Sequence, residues 1–263
     1  MTQKHPPEDR NFDGLATRFQ NKIYDSMKGR LRLAVLRRDF SEYVALDGMR
    51  TLDLGAGQGQ WALEMLRRNA SVHLTDVSAE MLAQAQTNVA QADLTEEQRS
   101  RASFQQISLQ EVARLNLPPF DLFACHAVLE WLDQPEGFFA AVDSLLVPRG
   151  WCSLIFYNVN GLIFKNLLRT NYAKVTKGDF RGMRGGLTPL NPLQPEQVRA
   201  WAEEWNYEIV CHSGIRVFHD YVLDKRLYEK QPDVVEQLEL QFSRQQPYRD
   251  LGRYIHLLLR KKS

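Results

Sequence analysis

No stretch of this 263-residue chain stays apolar for the roughly 20 residues that a bilayer crossing requires. The amino terminus, MTQKHPPEDR, is polar and proline-bearing rather than basic and then apolar. Neither a membrane span nor a secretory leader is expected, and the chain reads as cytoplasmic. Cysteine is scarce. Cys125, Cys152 and Cys211 are far apart, odd in number, and each lies inside an apolar run. Such spacing argues against a disulfide framework and against a metal site, whose ligands come in short paired spacings, so buried free thiols and no metal are expected. Net charge is also nearly absent: 33 Lys and Arg against 32 Asp and Glu give +1, which argues against a generic polyanion binder. Internal repeats and low-complexity segments are lacking. What remains is the composition of an ordinary folded protein, 44% hydrophobic and 25% charged, long enough for one large α/β domain with additions.

The small net charge conceals an uneven distribution. From Gly161 to Gly186 there are six basic residues (Lys165, Arg169, Lys174, Lys177, Arg181, Arg184) and one acidic one, so this tract carries +5 and the remainder −4. Phe164, Tyr172 and Phe180 are interleaved with the cations, a pattern suited to phosphates and splayed bases, although a solvated loop would look similar. Between residues 50 and 157 short apolar runs alternate with amphipathic stretches: RTLDL, GQWALEMLRR, SVHLTD, SAEMLAQAQTNVAQA, ASFQQI, FDLFACHAVL, EGFFAAVDSLL and, after a turn at Pro148–Gly150, WCSLIFYNV. Five strands alternating with helices predict a mostly parallel, doubly wound sheet. YEIVCHSGIRVFHDY and GRYIHLLLR supply two further strands as a late antiparallel pair, with a helix over about 194–205 before them. Residues 11–46 read as one or two helices, giving an amino-terminal helical lid over 1–49 and a main domain over 50–263. The tract at about 159–192 lacks clear periodicity and reads as a basic insertion after strand five.

The sharpest local signal is Thr51-Leu52-Asp53-Leu54-Gly55-Ala56-Gly57-Gln58-Gly59, a strand entering a glycine turn that opens a helix. Such turns bring backbone close to a ligand and offer unpaired N–H groups. Dinucleotide sites space their glycines G-x-G-x-x-G, whereas this chain has G-x-G-x-G with Asp53 two residues ahead. An acid there is an awkward neighbour for pyrophosphate but a suitable partner for an ammonium, which favours S-adenosyl-L-methionine with Gly55, Ala56 and Gly57 around it. The next strand ends at Asp76, 21 residues after Gly55, where a carboxylate can take both ribose hydroxyls, or else simply cap the following helix. His126 closes the fourth strand at the edge where open α/β sheets bind ligands. A buried structural histidine is the alternative.

With these residues in place, the chain resembles the family of tRNA 5-carboxymethoxyuridine methyltransferases, a branch of the class I S-adenosylmethionine-dependent enzymes. The likeness runs from Arg10 to about Arg260. It rests on strings far more particular than the glycine turn: RNFDGLATRFQNKIY, KGRLR, HAVLEW, FYNVNGL, GIRVFHDY and PYRDLGRYIH. The resemblance implies a Rossmann-like seven-stranded fold and cofactor contacts at Arg32, Gly55, Ala56, Asp76, Leu109, Gln110 and His126. Arg32 enters by resemblance alone, as a guanidinium for the methionine carboxylate. Ser108 stands where many relatives carry an acid, so the contacts after strand three fall on Leu109 and Gln110. The implied reaction moves a methyl group to the carboxylate of 5-carboxymethoxyuridine at the wobble position of a tRNA anticodon stem-loop.

A carboxylate with an ordinary pKa near 4 is already ionised at about pH 7, so positioning rather than a general base is expected to do the work. Tyr157, Asn158, Arg216, His219, Tyr221 and Arg253 are the candidates for orienting the acceptor, and Lys165, Arg169, Lys174, Lys177, Arg181 and Arg184 for binding RNA. Two other readings stay open: a methyltransferase for a small carboxylic acid or quinone, and a non-catalytic tRNA-binding protein.

Overall fold

The apolar runs and amphipathic stretches resolve into strands and helices in the expected order. In a computed structural model the described residues are 26–112, 114, 117–180, 189, 191–228 and 230–263, with the backbone alone at 225 and 227. Helix α1 (Met27–Tyr43) starts where the Ser26 hydroxyl accepts the Lys28 N–H. Then come β1 (Arg50–Leu54), α2 (Gln60–Arg67), β2 (Ser71–Asp76), α3 (Ala79–Gln91), α4 (Glu96–Ser100), β3 (Ala102–Gln106) and α5 (Leu109–Val112). The series continues through β4 (Phe120–His126), α6 (Phe138–Val142), β5 (Leu146–Tyr157), α7 (Val159–Leu168), α8 (Tyr172–Lys177), α9 (Pro195–Glu204) and β6 (Tyr207–Ile215). It closes with α10 (Lys225–Tyr228), α11 (Pro232–Phe242) and β7 (Tyr254–Lys261).

One sheet contains all seven strands in the order β3-β2-β1-β4-β5-β7-β6. Neighbours from β3 to β5 are parallel, and β7 lies between β5 and β6, antiparallel to both. Both faces of the sheet are covered, so successive residues of a strand enter opposite cores. Leu52, Leu54, Phe123, Cys125, Leu154, Phe156 and Leu257 pack on one side with Phe138, Phe139 and Val198. Leu122, Ala124, Ile155 and Leu258 pack on the other with Trp61, Met65 and Ala85, and there Val35, Leu36 and Phe40 press α1 onto the sheet. By this alternation Asp53, His126, Ser153 and His256 all lie on the α1 side.

The structure departs from the sequence reading in two places. Strand β5 begins at Leu146, before the residues read as a turn. Its pairing with β4 shifts register between Phe120 and Leu122, and Arg149 takes φ +62°, so Pro148–Gly150 form a bulge inside the strand. The basic tract, read as lacking periodicity, contains α7 and α8. Both are short and have little amphipathic repeat, and α8 stops at Gly178 with φ +66°. The tract leaves and rejoins the sheet at one point, where Asn158 and Leu193 form an isolated parallel bridge. Residues 1–25 of the lid, and Arg181 and Arg184 of the tract, lie outside the described residues.

Candidate active site

Parallel strands deliver Leu54, Asp76, Gln106, His126 and Tyr157 to one edge, the carboxyl edge at which open α/β sheets bind ligands. There β1 enters the glycine turn. Gly55 has φ +65°, and a Cβ on it would overlap the Val128 side chain, so only glycine lets these two loops close together. The Ala56 N–H donates to the Thr75 carbonyl at 2.9 Å. Asp76 accepts from the N–H groups of Gly57 and Ser78, each at 2.9 Å, a bracing role that the sequence did not reveal. A carboxylate has about four acceptor sites, so bracing the turn and receiving a ribose hydroxyl are compatible. Replacing Asp76 by Ala is expected to weaken cofactor binding by about 1.5–3 kcal/mol in calorimetry. Unchanged affinity in a folded variant would remove Asp76 from the site.

Asp53 is buried on β1, and its pKa is pushed up to about 7, chiefly by burial, opposed by Arg32 and reinforced by Asp76. A buried acid held near neutrality is a place where a cation would be welcome. Arg32, half-buried on α1, acts electrostatically on Asp53, His126 and Glu130. The helix read as a lid therefore brings its guanidinium to the same cradle. Leu109 and Gln110 start α5 beside Asp76, since the Ile107 N–H donates to the Asp76 carbonyl at 3.1 Å. The Ser108 hydroxyl donates to the exposed Glu111 carboxylate at 2.6 Å. The chemistry of these groups fits S-adenosylmethionine: Asp53 would face the ammonium, Arg32 the carboxylate, the glycine turn the body and Asp76 the ribose.

His126 ends a buried hydrogen-bond chain that crosses the sheet on its α1 side. Asp39 Oδ2 meets His256 Nδ1 at 2.7 Å, His256 Nε2 meets Ser153 Oγ at 3.0 Å, and Ser153 Oγ meets His126 Nε2 at 2.8 Å. Burial, then the charge of Arg32, keeps the His126 pKa well below its ordinary value. His256 Nδ1 donates to the Asp39 carboxylate, and the Ser153 hydroxyl joins the two rings. His126 Nδ1 is buried without a hydrogen-bond partner among the described residues. Glu130, also fully buried, has its pKa raised to about 8 by burial, and neither of its carboxylate oxygens has a hydrogen-bond partner among the described residues.

Farther along the edge the acceptor candidates gather. Arg216 follows β6 and Arg253 precedes β7, and each guanidinium stands 3.1 Å from Asp220, which also lies 4.0 Å from Lys165. The Arg253 guanidinium lies 5.0 Å from the Tyr157 ring centre and that of Arg216 lies 5.3 Å from Tyr254. Asn158 and Tyr221, by contrast, are taken up by backbone. The Asn158 amide donates to the carbonyls of Asp250 and Gly252 at 2.9 and 2.8 Å and caps α7, and the Tyr221 hydroxyl contacts the carbonyls of Gly161 and Leu251. Both therefore brace the floor rather than reach toward an acceptor. Gly161 explains part of FYNVNGL, because a Cβ there would come within 2.7 Å of the Gly252 carbonyl. His219 hydrogen-bonds Tyr228, and burial pushes its pKa down to about 4. Asp220, Glu130, Ser153, His256 and Asp39 escaped the sequence reading, although Asp220, Glu130 and His256 stood inside three of its most particular strings.

Fold and cradle together define an S-adenosylmethionine-dependent methyltransferase, and a family profile described as a methyltransferase domain matches residues 52–152. Over 257 residues the chain is 38% identical to the tRNA 5-carboxymethoxyuridine methyltransferase of Escherichia coli K12, covering 97% of each protein. It belongs to that family. A ubiquinone biosynthesis O-methyltransferase of Psychrobacter cryohalolentis is 32% identical over 44% of each chain. Among solved structures, magnesium protoporphyrin IX methyltransferase from Synechocystis with bound S-adenosylhomocysteine aligns over 95% of this chain and 96% of its own. Its TM-score is 0.60 at 15% identity, a likeness of fold. A putative methyltransferase of Haloferax volcanii in complex with its Trm112 activator aligns over 96% of each chain, with TM-score 0.61 at 17% identity.

Proposed function

We propose that this protein methylates the carboxylate of 5-carboxymethoxyuridine at the wobble position of a tRNA anticodon stem-loop in the cytoplasm, giving the methyl ester. The name of the Escherichia coli relative supports the acceptor. The observation that carries the reading is the basic excursion α7–α8. It starts at Asn158, one residue beyond Tyr157 on the sheet edge, and holds Arg169 and Lys177 exposed, with Lys174 half-buried, beside Tyr172, which is 58% exposed. Exposed cations around an exposed aromatic ring suit phosphates and unstacked bases. An RNA held there is held at the edge where the cofactor cradle opens.

Bound S-adenosylmethionine supplies a methyl group on a positively charged sulfur; the acceptor oxygen takes the methyl and the C–S electron pair stays on sulfur. An ionised carboxylate needs no proton removed, so the chain's tasks are to bind, orient and dehydrate it. The aromatic rings of Tyr157, buried, and Tyr254, partly buried, lie 5.2 Å apart and supply a largely dry wall there.

Neutralising Lys174, Lys177, Arg181 and Arg184 together to Gln is expected to weaken tRNA binding and to flatten its salt dependence. Each lost single-strand contact removes about 0.7 from the slope of log affinity against log salt. Cofactor affinity should stay at the wild-type value. An unchanged salt slope would mean that the tract is a solvated loop. The function itself is tested by mass spectrometry of wobble nucleosides from cells lacking the protein. Accumulation of the free acid with loss of its methyl ester supports the reading, and an unaltered nucleoside profile refutes it.

A further inference from the structure

We propose that Arg216 and Arg253 form a clamp for the carboxylate of the acceptor, entered through the pocket between α7 and residues 219–228. The inference rests on the proposed function and names the residues that recognise its substrate. Three cations, Arg216, Arg253 and Lys165, share one carboxylate, Asp220, leaving an excess of positive charge in a largely buried place. The other titratable groups around them do not cancel it. Glu130, with its pKa raised to about 8, is neutral at pH 7, as is His219, with its pKa lowered to about 4. Glu239 accepts the backbone N–H groups of Val217, Phe218 and His219 and also acts on Arg216, so with Asp220 at most two negative charges face the three cations and a positive excess remains.

Asp220 does not saturate the two arginines. Its contacts with them have ion-pair distances without hydrogen-bond alignment, and Arg216 Nε and Arg253 Nη1 are buried with no hydrogen-bond partner among the described residues. A buried guanidinium N–H without an acceptor is costly, and the group that satisfies two such forks at once is a second carboxylate. The forks are also held in place. Each lies over a tyrosine ring, and the two rings meet edge to face. Arg216, only 8% exposed, adopts φ +60°, a left-handed conformation that costs a non-glycine residue free energy and is typical of functional sites. The bracing of residues 217–219 by Glu239 maintains that turn.

A pocket of about 340 Å³ opens onto Asp220 from outside, lined in part by Lys28, Lys165, Arg169, His219 and Tyr228. Its volume is in the range for a small ligand. Its cationic rim runs from Lys165, which faces Asp220 beside the clamp, to Arg169 at the carboxyl end of α7, so a nucleotide of the bound RNA can enter with its carboxylate leading.

Three anticodon stem-loops that differ at one nucleotide test the clamp: one carries 5-carboxymethoxyuridine, one its neutral carboxamide, one plain uridine. In fluorescence anisotropy the wild-type protein should bind the acid about 10- to 100-fold more tightly than the amide, as expected for charge-assisted hydrogen bonds. Arg216→Gln and Arg253→Gln should each bring the acid-to-amide ratio close to one while leaving affinity for the amide within about twofold. Calorimetry with S-adenosylmethionine on the same preparations reports whether the variants are folded, and Lys165→Met carries the same comparison should either arginine variant fail to fold. A folded, cofactor-binding arginine variant that keeps the wild-type ratio overturns the clamp. A wild-type protein that binds all three RNAs alike overturns both the clamp and the carboxylate acceptor. Discrimination by the wild type that persists in the variants overturns the clamp alone.

Discussion

Replacing Asp39 by Asn is expected to lower the unfolding free energy by about 3–5 kcal/mol, the range for removing one partner of a buried charge pair. Asp39 is completely buried on α1, yet it receives Arg38 at 2.8 Å, Arg244 at 2.6 Å and His256 at 2.7 Å. Burial alone would raise its pKa, but the contacts of His256 and Arg38 outweigh burial and hold the carboxylate well below the ordinary range. In the unfolded chain an Asp protonates near about pH 3.9. The stabilisation from Asp39 is thus fully present above that pH and drains away as pH falls toward the folded pKa. Denaturant titrations should show the wild type losing stability below about pH 4 by a term absent from Asp39→Asn. A variant that unfolds at the wild-type midpoint at pH 7 would show that the chain from α1 to His126 contributes nothing to holding the helix on the sheet.

Asp53→Asn is expected to move stability and cofactor affinity in opposite directions. Folded Asp53 titrates at about 7, while an unfolded Asp titrates near about 3.9. The folded chain therefore binds more protons between these values, so the contribution of Asp53 falls as pH rises from about 4 to 7 and stays unfavourable above. About three pK units correspond to a cost on the order of 4 kcal/mol at pH 8. Asparagine lacks this cost, so the variant without cofactor should melt higher than the wild type at pH 8. S-adenosylmethionine should nevertheless bind about 2–5 kcal/mol more weakly, because its ammonium loses a buried counter-charge. The wild-type affinity should rise with pH up to about 7, where Asp53 becomes ionised without cofactor, and the variant should lack that rise. Equal affinity and equal pH dependence in the two proteins would remove Asp53 from the cofactor site.

The sequence made legible whatever depends on neighbours in the chain. The glycine turn, Asp76 at the end of the next strand and His126 at the end of the fourth are each defined by position within one strand-to-helix unit. The order of strands and helices shows itself in the same way. What long-range packing creates could not be read. Asp39, His126, Ser153 and His256 lie on four separate elements, and only the strand alternation beneath α1 brings them into one chain of hydrogen bonds. Asn158 and Tyr221 looked like reaching groups because the sequence does not show the carbonyls of Leu251 and Gly252 that approach them. Asp220 stayed hidden for the converse reason: its importance comes from Lys165, Arg216 and Arg253, which converge from three elements. The bulge in β5 and the short helices α7 and α8 lacked a repeat long enough to announce them.

The most direct test of the central claim uses purified protein, S-adenosylmethionine labelled in its methyl group, and an anticodon stem-loop carrying 5-carboxymethoxyuridine. An ester gives up its methyl in mild alkali, whereas a methyl on a ring nitrogen, ring carbon or ribose oxygen stays attached. The account predicts that label enters this RNA and not its carboxamide counterpart, and that mild alkali releases the label and regenerates the free acid. Label that survives alkali, or that enters the carboxamide RNA equally well, would contradict it.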